Sequence, residues 1–519
     1  MNIIIGISWP FANGELHIGH AASSLPGDVI ARYHRLKGDK VILVSGTDCH
    51  GTPTEVKALQ ENKNPKEIVD DCHVSFSKDF KDFGISFDLY NRTDDPYHKE
   101  FVQEQFVKYY NNGYLEEKEE EQLYCDHCKL FLADRYIIGI CPKCGSEIKG
   151  DECEKCGSLL TIDEVKETKC AICGNKASYK KNRNLYFKLS IFQDNIKELL
   201  DSKRNDWRGN AVNFTERYLK EGIPDRCVSR TLNYGIDIPI DGFKDKKLYG
   251  WFENVWGYVT ASKKYAEENY LNWEDFWKGE NSKIYLVHAK DNIPFHTVIF
   301  PSLLLATNDN YRLPDKIVSD EYITIEGEKL SKSKGNYITL RHLLNNYPVD
   351  VIRYYFSINN PETRDFNFTY EGFINSINGE LLGKWGNFVN RTLQFINKSF
   401  GNDIDNGDTK DGLAKIFDFI NYSNKYFDEN KPWKLAKEDV IKCEDILYNC
   451  CNIIFNINNL LKPYFVETTK KVEEYLNSNI SSWNYQKLEK VKLSEEINPL
   501  FIRYDKKVID QERELLNKN

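Results

Sequence analysis

The chain opens on an unbroken apolar run, Ile3-Ile4-Ile5-Gly6-Ile7, the pattern of a strand buried on both faces. A helix-like stretch through about Lys37 and a second apolar run, Val41-Ile42-Leu43-Val44, follow it. This strand, helix, strand order predicts an α/β fold with a doubly wound parallel sheet. Ligands of such sheets gather at the strand C-termini, where the polar, turn-rich segment Ser45-Gly46-Thr47-Asp48-Cys49-His50-Gly51-Thr52-Pro53 lies. Strand patterning returns at Lys283-Ile284-Tyr285-Leu286-Val287-His288, before a helix starting near Phe295, and again at Ile317-Val318 and Tyr322-Ile323-Thr324-Ile325. Beyond about Leu340 the period turns helical with no further strand alternation, which predicts an α-helical bundle. The expected units are 1–112 and 230–339 for the two halves of the sheet, 113–229 for an insertion and 340–519 for the helices; 519 residues exceed what one core organises. Apolar stretches such as Ser302-Leu303-Leu304-Leu305-Ala306 fall far short of a membrane span, and the first strand lacks a basic flank, so a cytoplasmic location is expected.

The cysteines change this picture most. Of fourteen, eight form four C-x-x-C pairs: Cys125/Cys128, Cys141/Cys144, Cys153/Cys156 and Cys170/Cys173. Without a secretion signal this spacing favours zinc over disulfides, because two thiolates on one tight knuckle reach the same tetrahedral ion. Two zinc ions are the natural count, and the spacing leaves open which pairs share an ion. Cys49, Cys72, Cys227, Cys443, Cys450 and Cys451 read as buried thiols. A net charge of −9 argues against indiscriminate polyanion binding, so RNA contact has to come from local Lys and Arg placement.

Two segments more than three hundred residues apart suggest ATP chemistry. Pro10-Phe11-Ala12-Asn13-Gly14-Glu15-Leu16-His17-Ile18-Gly19-His20 follows the first strand, putting His17 and His20 on one face of a helix N-terminus, an end that attracts phosphate. Gly19 between them allows close approach of a nucleotide. Lys329-Leu330-Ser331-Lys332-Ser333, flanked by Gly327 and Gly335, offers mobile cations for a loop closing over pyrophosphate. Either segment alone is weak, since such His pairs are more often structural and Lys/Ser runs are usually solvated. Together, in this order, they resemble the signature pair of class I aminoacyl-tRNA synthetases, and the intervening residues resemble the methionyl-tRNA synthetases in particular.

The resemblance implies a Rossmann-type catalytic sheet interrupted by a zinc-knuckle insertion and followed by an anticodon-binding bundle. The implied reaction activates methionine with Mg2+ and ATP, then transfers it to the methionine tRNA, tRNA(Met). His17, His20, Lys329 and Lys332 would be catalytic, with Gly19 and Asp291 beside ATP and Asp291 on its ribose. The implied amino-acid pocket comprises Trp9, Phe11, Asp48, Trp251, Asn254, Val255, Tyr258, Asn292, His296, Ile299 and Phe300, with Asp48 on the α-ammonium. Asn387, Arg391 and Trp433 match residues that read the anticodon. The zinc pairing implied is nested: Cys141, Cys144, Cys153 and Cys156 on one ion, Cys125, Cys128, Cys170 and Cys173 on the other, both structural because thiolates fill every position. A monomer is expected, since the sequence ends with the charged, helix-like segment from Leu493 to Asn519, without the extra C-terminal domain that dimerises some relatives.

The sequence also departs from that family. Asn254-Val255 stands where a small residue and Pro are usual, Trp256 is larger than expected, Phe11 lacks the usual Tyr hydroxyl, and Ala289 replaces a Gly near the ribose. Two other readings follow: a related ligase for a different amino acid or acceptor, and a non-catalytic zinc-containing RNA-binding protein. The intact His and Lys sets weigh against the second. A further oddity is that Met1 is the only methionine, and even the usual Met of the Lys/Ser loop is Leu330. Leu replaces Met in cores at small cost, so drift alone could remove some of them. Elongation of this chain never requires charged methionine tRNA, which suits an enzyme made when that tRNA is scarce. Under methionine limitation its translation, followed by pulse labelling, should persist better than that of a Met-rich control; equal loss of both would refute the idea.

Overall fold

The computed structural model describes residues 1–519 apart from 133–135, 151–159, 161–163, 331–334, 400–411, 480–485, 489–490, 492, 495 and 518–519. Its centre is a sheet of five strands, β1 (Asn2–Ile7), β2 (Lys40–Thr47), β3 (Leu89–Arg92), β4 (Ser282–Ala289) and β5 (Lys316–Asp320). Their spatial order is β5-β4-β1-β2-β3, parallel at every pairing. The apolar run of β1 follows from its central place. Ile3, Ile5 and Ile7 face a layer containing Ala21 and Leu25 of helix α1 (Ile18–Leu36), while Ile4 faces the opposite layer with Ile42, Val44 and Leu286. With side chains alternating between two covered faces, the buried positions Ile3 to Ile7 are all apolar.

The chain leaves the sheet after β3 and returns at β4. Between them Leu115–Cys125 and Ser178–Phe187 pair antiparallel from Leu115↔Phe187 to Tyr124↔Ser178, a long stalk with the cysteine knuckles at its far end. Beyond β5, Ile323–Ile325 belongs to a separate small sheet, antiparallel to Glu328–Lys329 and parallel to Phe366–Phe368. The last of these corrects the expectation that no strand follows Leu340. Phe-Asn-Phe is too short for a period of two to register, and its partner lies some forty residues back. The helix near Phe295 begins with a wide turn, Phe295–Ile299, before regular geometry at Phe300–Ala306. No helix among the described residues is long and apolar enough to cross a membrane.

One buried ion pair ties the sheet layer to the helices. Arg353, on α2 (Val349–Ile358), is fully buried, and its Nη2 lies 2.6 Å from Asp28 Oδ2 on α1. Its other N–H groups donate to the carbonyls of Tyr464, Pro463, Phe83 and Gly84, so the guanidinium is fully satisfied. Burial would raise the Asp28 carboxyl, but Arg353, Arg32 and the donors of Ser86 hold it at about 2. That value lies below the ordinary 3.8, so the contribution to stability is complete above about pH 4 and lost as pH falls through about 2. Arg353→Ala takes the buried cation from Asp28, leaving it Arg32 and Ser86, and removes the donors to four backbone carbonyls, which should cost about 3–5 kcal/mol in urea unfolding at neutral pH. A change below about 1 kcal/mol would show that the pair does not brace this junction.

Candidate active site

Helix α1 begins with a capping pair made of two imidazoles. His17 Nδ1 accepts from the Gly19 N–H and His20 Nδ1 from the His17 N–H, both at 3.1 Å, with ring centroids 3.9 Å apart. A Cβ on Gly19 would sit 3.0 Å from the His17 ring, so a side chain there would crowd the cap. With each Nδ1 used as an acceptor, a neutral ring carries its proton on Nε2 and presents an N–H donor away from the backbone.

The chain that follows the Lys/Ser loop returns to this helix end. Ile18 N–H donates to Ile338 O at 3.0 Å and Leu340 N–H to Leu16 O at 2.8 Å, with Thr339 directly opposite His17. Leu330 Cδ1, on the near side of the loop, lies 3.8 Å from where a Gly19 Cβ would be. Lys329 is exposed at the end of the short strand Glu328–Lys329. Lys332 lies outside the described residues. Asp291 is exposed in the turn after β4.

A small cavity of about 10 Å³ opens at the C-terminal ends of β1 and β4, lined by Ser8, Trp9, Trp251, Asn254, Val255, Tyr258, Asn292 and His296. His296 Nδ1 faces the Asn292 carbonyl at 2.8 Å, so it carries the proton, and Tyr258 OH donates to Nε2 at 2.7 Å. Burial lowers His296 to about 4, which keeps the ring neutral near pH 7. Trp251 stacks on Phe295 with centroids 3.7 Å apart and meets the edge of Phe11 at 5.6 Å. Phe300 packs against Trp256, Tyr258 and Trp277 behind this wall, and Ile299 is buried beside it. The bulk of Trp256 turns away from the cavity, toward Phe101, Phe300 and Tyr311.

Asp48 is fully buried, with Asn254 Nδ2 donating to its Oδ2 at 2.9 Å. Burial, and then the charge of Glu253, push its carboxyl well above the ordinary range, against the donors Asn254 and His50 N–H. Burial pushes Glu253 up as well, but His50 and His98, at 2.8 and 3.0 Å, outweigh it and hold Glu253 below its ordinary value. Two carboxylates and two imidazoles thus form one buried network under the cavity.

Away from the sheet, the thiols of Cys125, Cys128, Cys170 and Cys173 all lie within 4.8 Å of one another, a set that could hold one metal ion. Cys125 and Cys170 each open a turn closed by a backbone hydrogen bond of 2.8 Å, from Lys129 and Gly174. Cys141 opens a turn of the same kind, closed by Gly145 at 3.0 Å. Cys153 and Cys156, expected beside Cys141 and Cys144, lie outside the described residues. In the helical region Asn387 and Arg391 occupy the first turns of Asn387–Ser399. The Arg391 guanidinium pairs with Asp428 at 2.5 Å and lies 5.1 Å over the Phe427 ring, and Phe427 sits 6.0 Å from half-exposed Trp433.

Known proteins resemble this chain in sequence and fold. The family model for class I tRNA synthetases (M) matches residues 3–393. Methionine–tRNA ligase 1 of Alkaliphilus oremlandii is 44% identical over 536 residues, covering 99% of both chains. The chain belongs to the methionyl-tRNA synthetases. The methionine–tRNA ligase of Streptococcus pneumoniae is 43% identical over 99% of this chain and 98% of its own. A crystal structure of Mycobacterium tuberculosis methionyl-tRNA synthetase bound by methionyl-adenylate has the same fold, with a TM-score of 0.79 at 20% identity over 97% of this chain and 100% of that one.

In this methionyl-tRNA synthetase the pocket also depends on glycines that the sequence pattern did not single out. A Cβ on Gly46 or Gly257 would lie 2.4 or 2.6 Å from the Trp9 ring, and one on Gly6 would lie 2.5 Å from Tyr258. Trp9 therefore slots between two backbone surfaces that only glycine leaves open. Ser8, Glu253, His50 and His98 were missed for a different reason. Their role comes from contacts with Asp48 and the cavity, across as many as 203 residues for His50 and Glu253, and nothing local marks them.

Proposed function

We propose that this methionine–tRNA ligase binds ATP with its phosphates at the start of α1 and methionine with its α-ammonium on Asp48. The observation that carries the reading is the pairing of Leu16–Ile18 with Ile338–Leu340, which fixes the base of the Lys/Ser loop at the helix end bearing His17 and His20. The methionine carboxylate oxygen attacks the α-phosphorus, the bond to the bridging oxygen breaks and pyrophosphate leaves. His17 and His20 donate Nε2–H to the phosphates, while Lys329 and Lys332 offset charge gathering on the leaving group. Gly19 admits the nucleotide to this helix end, and Asp291 holds the ribose. In the second step a hydroxyl of the terminal adenosine of tRNA attacks the carbonyl of methionyl-adenylate and AMP departs. No covalent enzyme intermediate is needed.

Phe11, Trp251 and Val255 would pack the methionine side chain beside Tyr258, His296 and Trp9, an apolar wall suited to a polarizable thioether. Asn292 supports the wall through its carbonyl on His296. Mg2+ accompanying ATP would neutralise part of the phosphate charge. The thiols of Cys125, Cys128, Cys170 and Cys173 suit a structural zinc with no open position. The sequence spacing offers Cys141, Cys144, Cys153 and Cys156 as ligands for a second zinc. Asn387, Arg391 and Trp433 would read the anticodon of tRNA(Met), the aromatic ring stacking on a base and the polar groups bonding base edges. The closeness of Arg391, Phe427 and Trp433 supports that surface.

Amino-acid-dependent ATP–pyrophosphate exchange tests the reading. Across the standard amino acids only methionine should support it, and His20→Ala should lower kcat by roughly 10²–10³-fold. Because the ammonium needs ionised Asp48, the KM for methionine should rise as pH falls through a midpoint above the ordinary carboxylate range. Exchange driven by another amino acid, or full activity in His20→Ala, would overturn the assignment.

A further inference from the structure

Position 254 departs from the family, which usually has a small residue there, and its contacts give the departure a use. Asn254 is 5% exposed and donates from Nδ2 to Asp48 Oδ2 at 2.9 Å. Binding an ammonium requires Asp48 in its ionised form, which can only accept, so in that state Nδ2 faces the carboxylate and Oδ1 is the other end of the amide. The other end, Oδ1, is buried with no hydrogen-bond partner, in a side chain that lines the cavity with Ser8, Trp9, Tyr258 and His296. Leaving a buried carbonyl oxygen without a donor is costly, so its presence beside a ligand cavity points to a donor that arrives with the ligand. Asp48 Oδ1 is similarly underused: its protein donor is the His50 N–H at 3.4 Å.

We propose that Asn254 is a substrate-binding residue whose Oδ1 accepts, together with Asp48, from the α-ammonium of methionine, while its Nδ2–H holds the Asp48 carboxylate in place. This rests on the assignment of the ammonium to Asp48. An ammonium brings three N–H donors into a closed site, more than one carboxylate oxygen satisfies. The chemistry also explains an amide at this position in place of an acid. A third carboxylate beside Asp48 and Glu253 would repel both, whereas Asn adds an acceptor with no added charge. Because the α-ammonium is common to all amino acids, the added bond strengthens binding of the amino group and leaves side-chain choice to Trp9, Tyr258 and His296.

The test pairs a ligand change with a residue change, so that general effects on the pocket cancel. Inhibition of methionine-dependent exchange is measured for methioninol, which keeps the ammonium, and for 4-(methylthio)butan-1-ol, which lacks it. The native chain should prefer methioninol strongly, and in Asn254→Ala and Asn254→Leu that preference should fall by roughly tenfold, the worth of a hydrogen bond to a charged group. The KM for methionine should rise in parallel, with kcat and the KM for ATP within about twofold, as expected when binding alone is lost. An unchanged preference in both variants would overturn the role of Asn254. Asp48→Asn separates this from the assignment beneath it: if that change also leaves the preference intact, the ammonium does not bind Asp48 at all.

Discussion

The ATP site proposed for this enzyme depends on one short stretch of backbone pairing, Leu16–Ile18 against Ile338–Leu340. Two segments more than three hundred residues apart become one site because their main chains share hydrogen bonds. The hydrogen bonds that would otherwise be spent on water hold the loop base against the end of α1, where the helix dipole favours phosphate. The imidazole caps make the same end selective. Each Nδ1 is tied to a backbone N–H, so both rings keep a fixed tautomer and orientation before a nucleotide arrives. That is preorganisation in the electrostatic sense: donors are aimed before the charge they serve appears.

The amino-acid side works by a different balance. Behind Asn254 lies a buried cluster of Asp48, Glu253, His50 and His98, in which the imidazoles pair with Glu253 and leave Asp48 without a cation of its own. A buried carboxylate in that state is costly until an ammonium reaches it, so the pocket's strongest electrostatic demand is for the group every amino acid carries. In the proposed reading, selection of the side chain falls instead to packing around Trp9, Trp251, Tyr258 and His296. The glycines at 6, 46 and 257 belong to this part of the account, because they set how deeply two of those rings can sink.

Much of this was legible in the chain. The doubly wound sheet follows from the apolar runs of β1, β2 and β4, since strands covered on both faces read as near-continuous apolar stretches, with polar residues gathered toward their ends. The His and Lys motifs and the C-x-x-C pairs carry their chemistry in local spacing, and Cys125, Cys128, Cys170 and Cys173 do converge. What stayed hidden is nonlocal. The strand Phe366–Phe368 exists only through its partner Ile323–Ile325, and the size of Trp256 says nothing about which way it faces. Asn254 was visible as a departure, but its contact with Asp48 spans 206 residues and appears only once the chain has folded.

The most direct check is a structure of the protein with methionine and a non-hydrolysable ATP analogue bound. The account predicts the triphosphate at the start of α1, with its oxygens within hydrogen-bonding distance of His17 and His20 Nε2, the lysines of the loop folded over it, and the Leu16–Ile18 pairing intact. Phosphates bound elsewhere, or a loop that reaches them only after that pairing has opened, would contradict it.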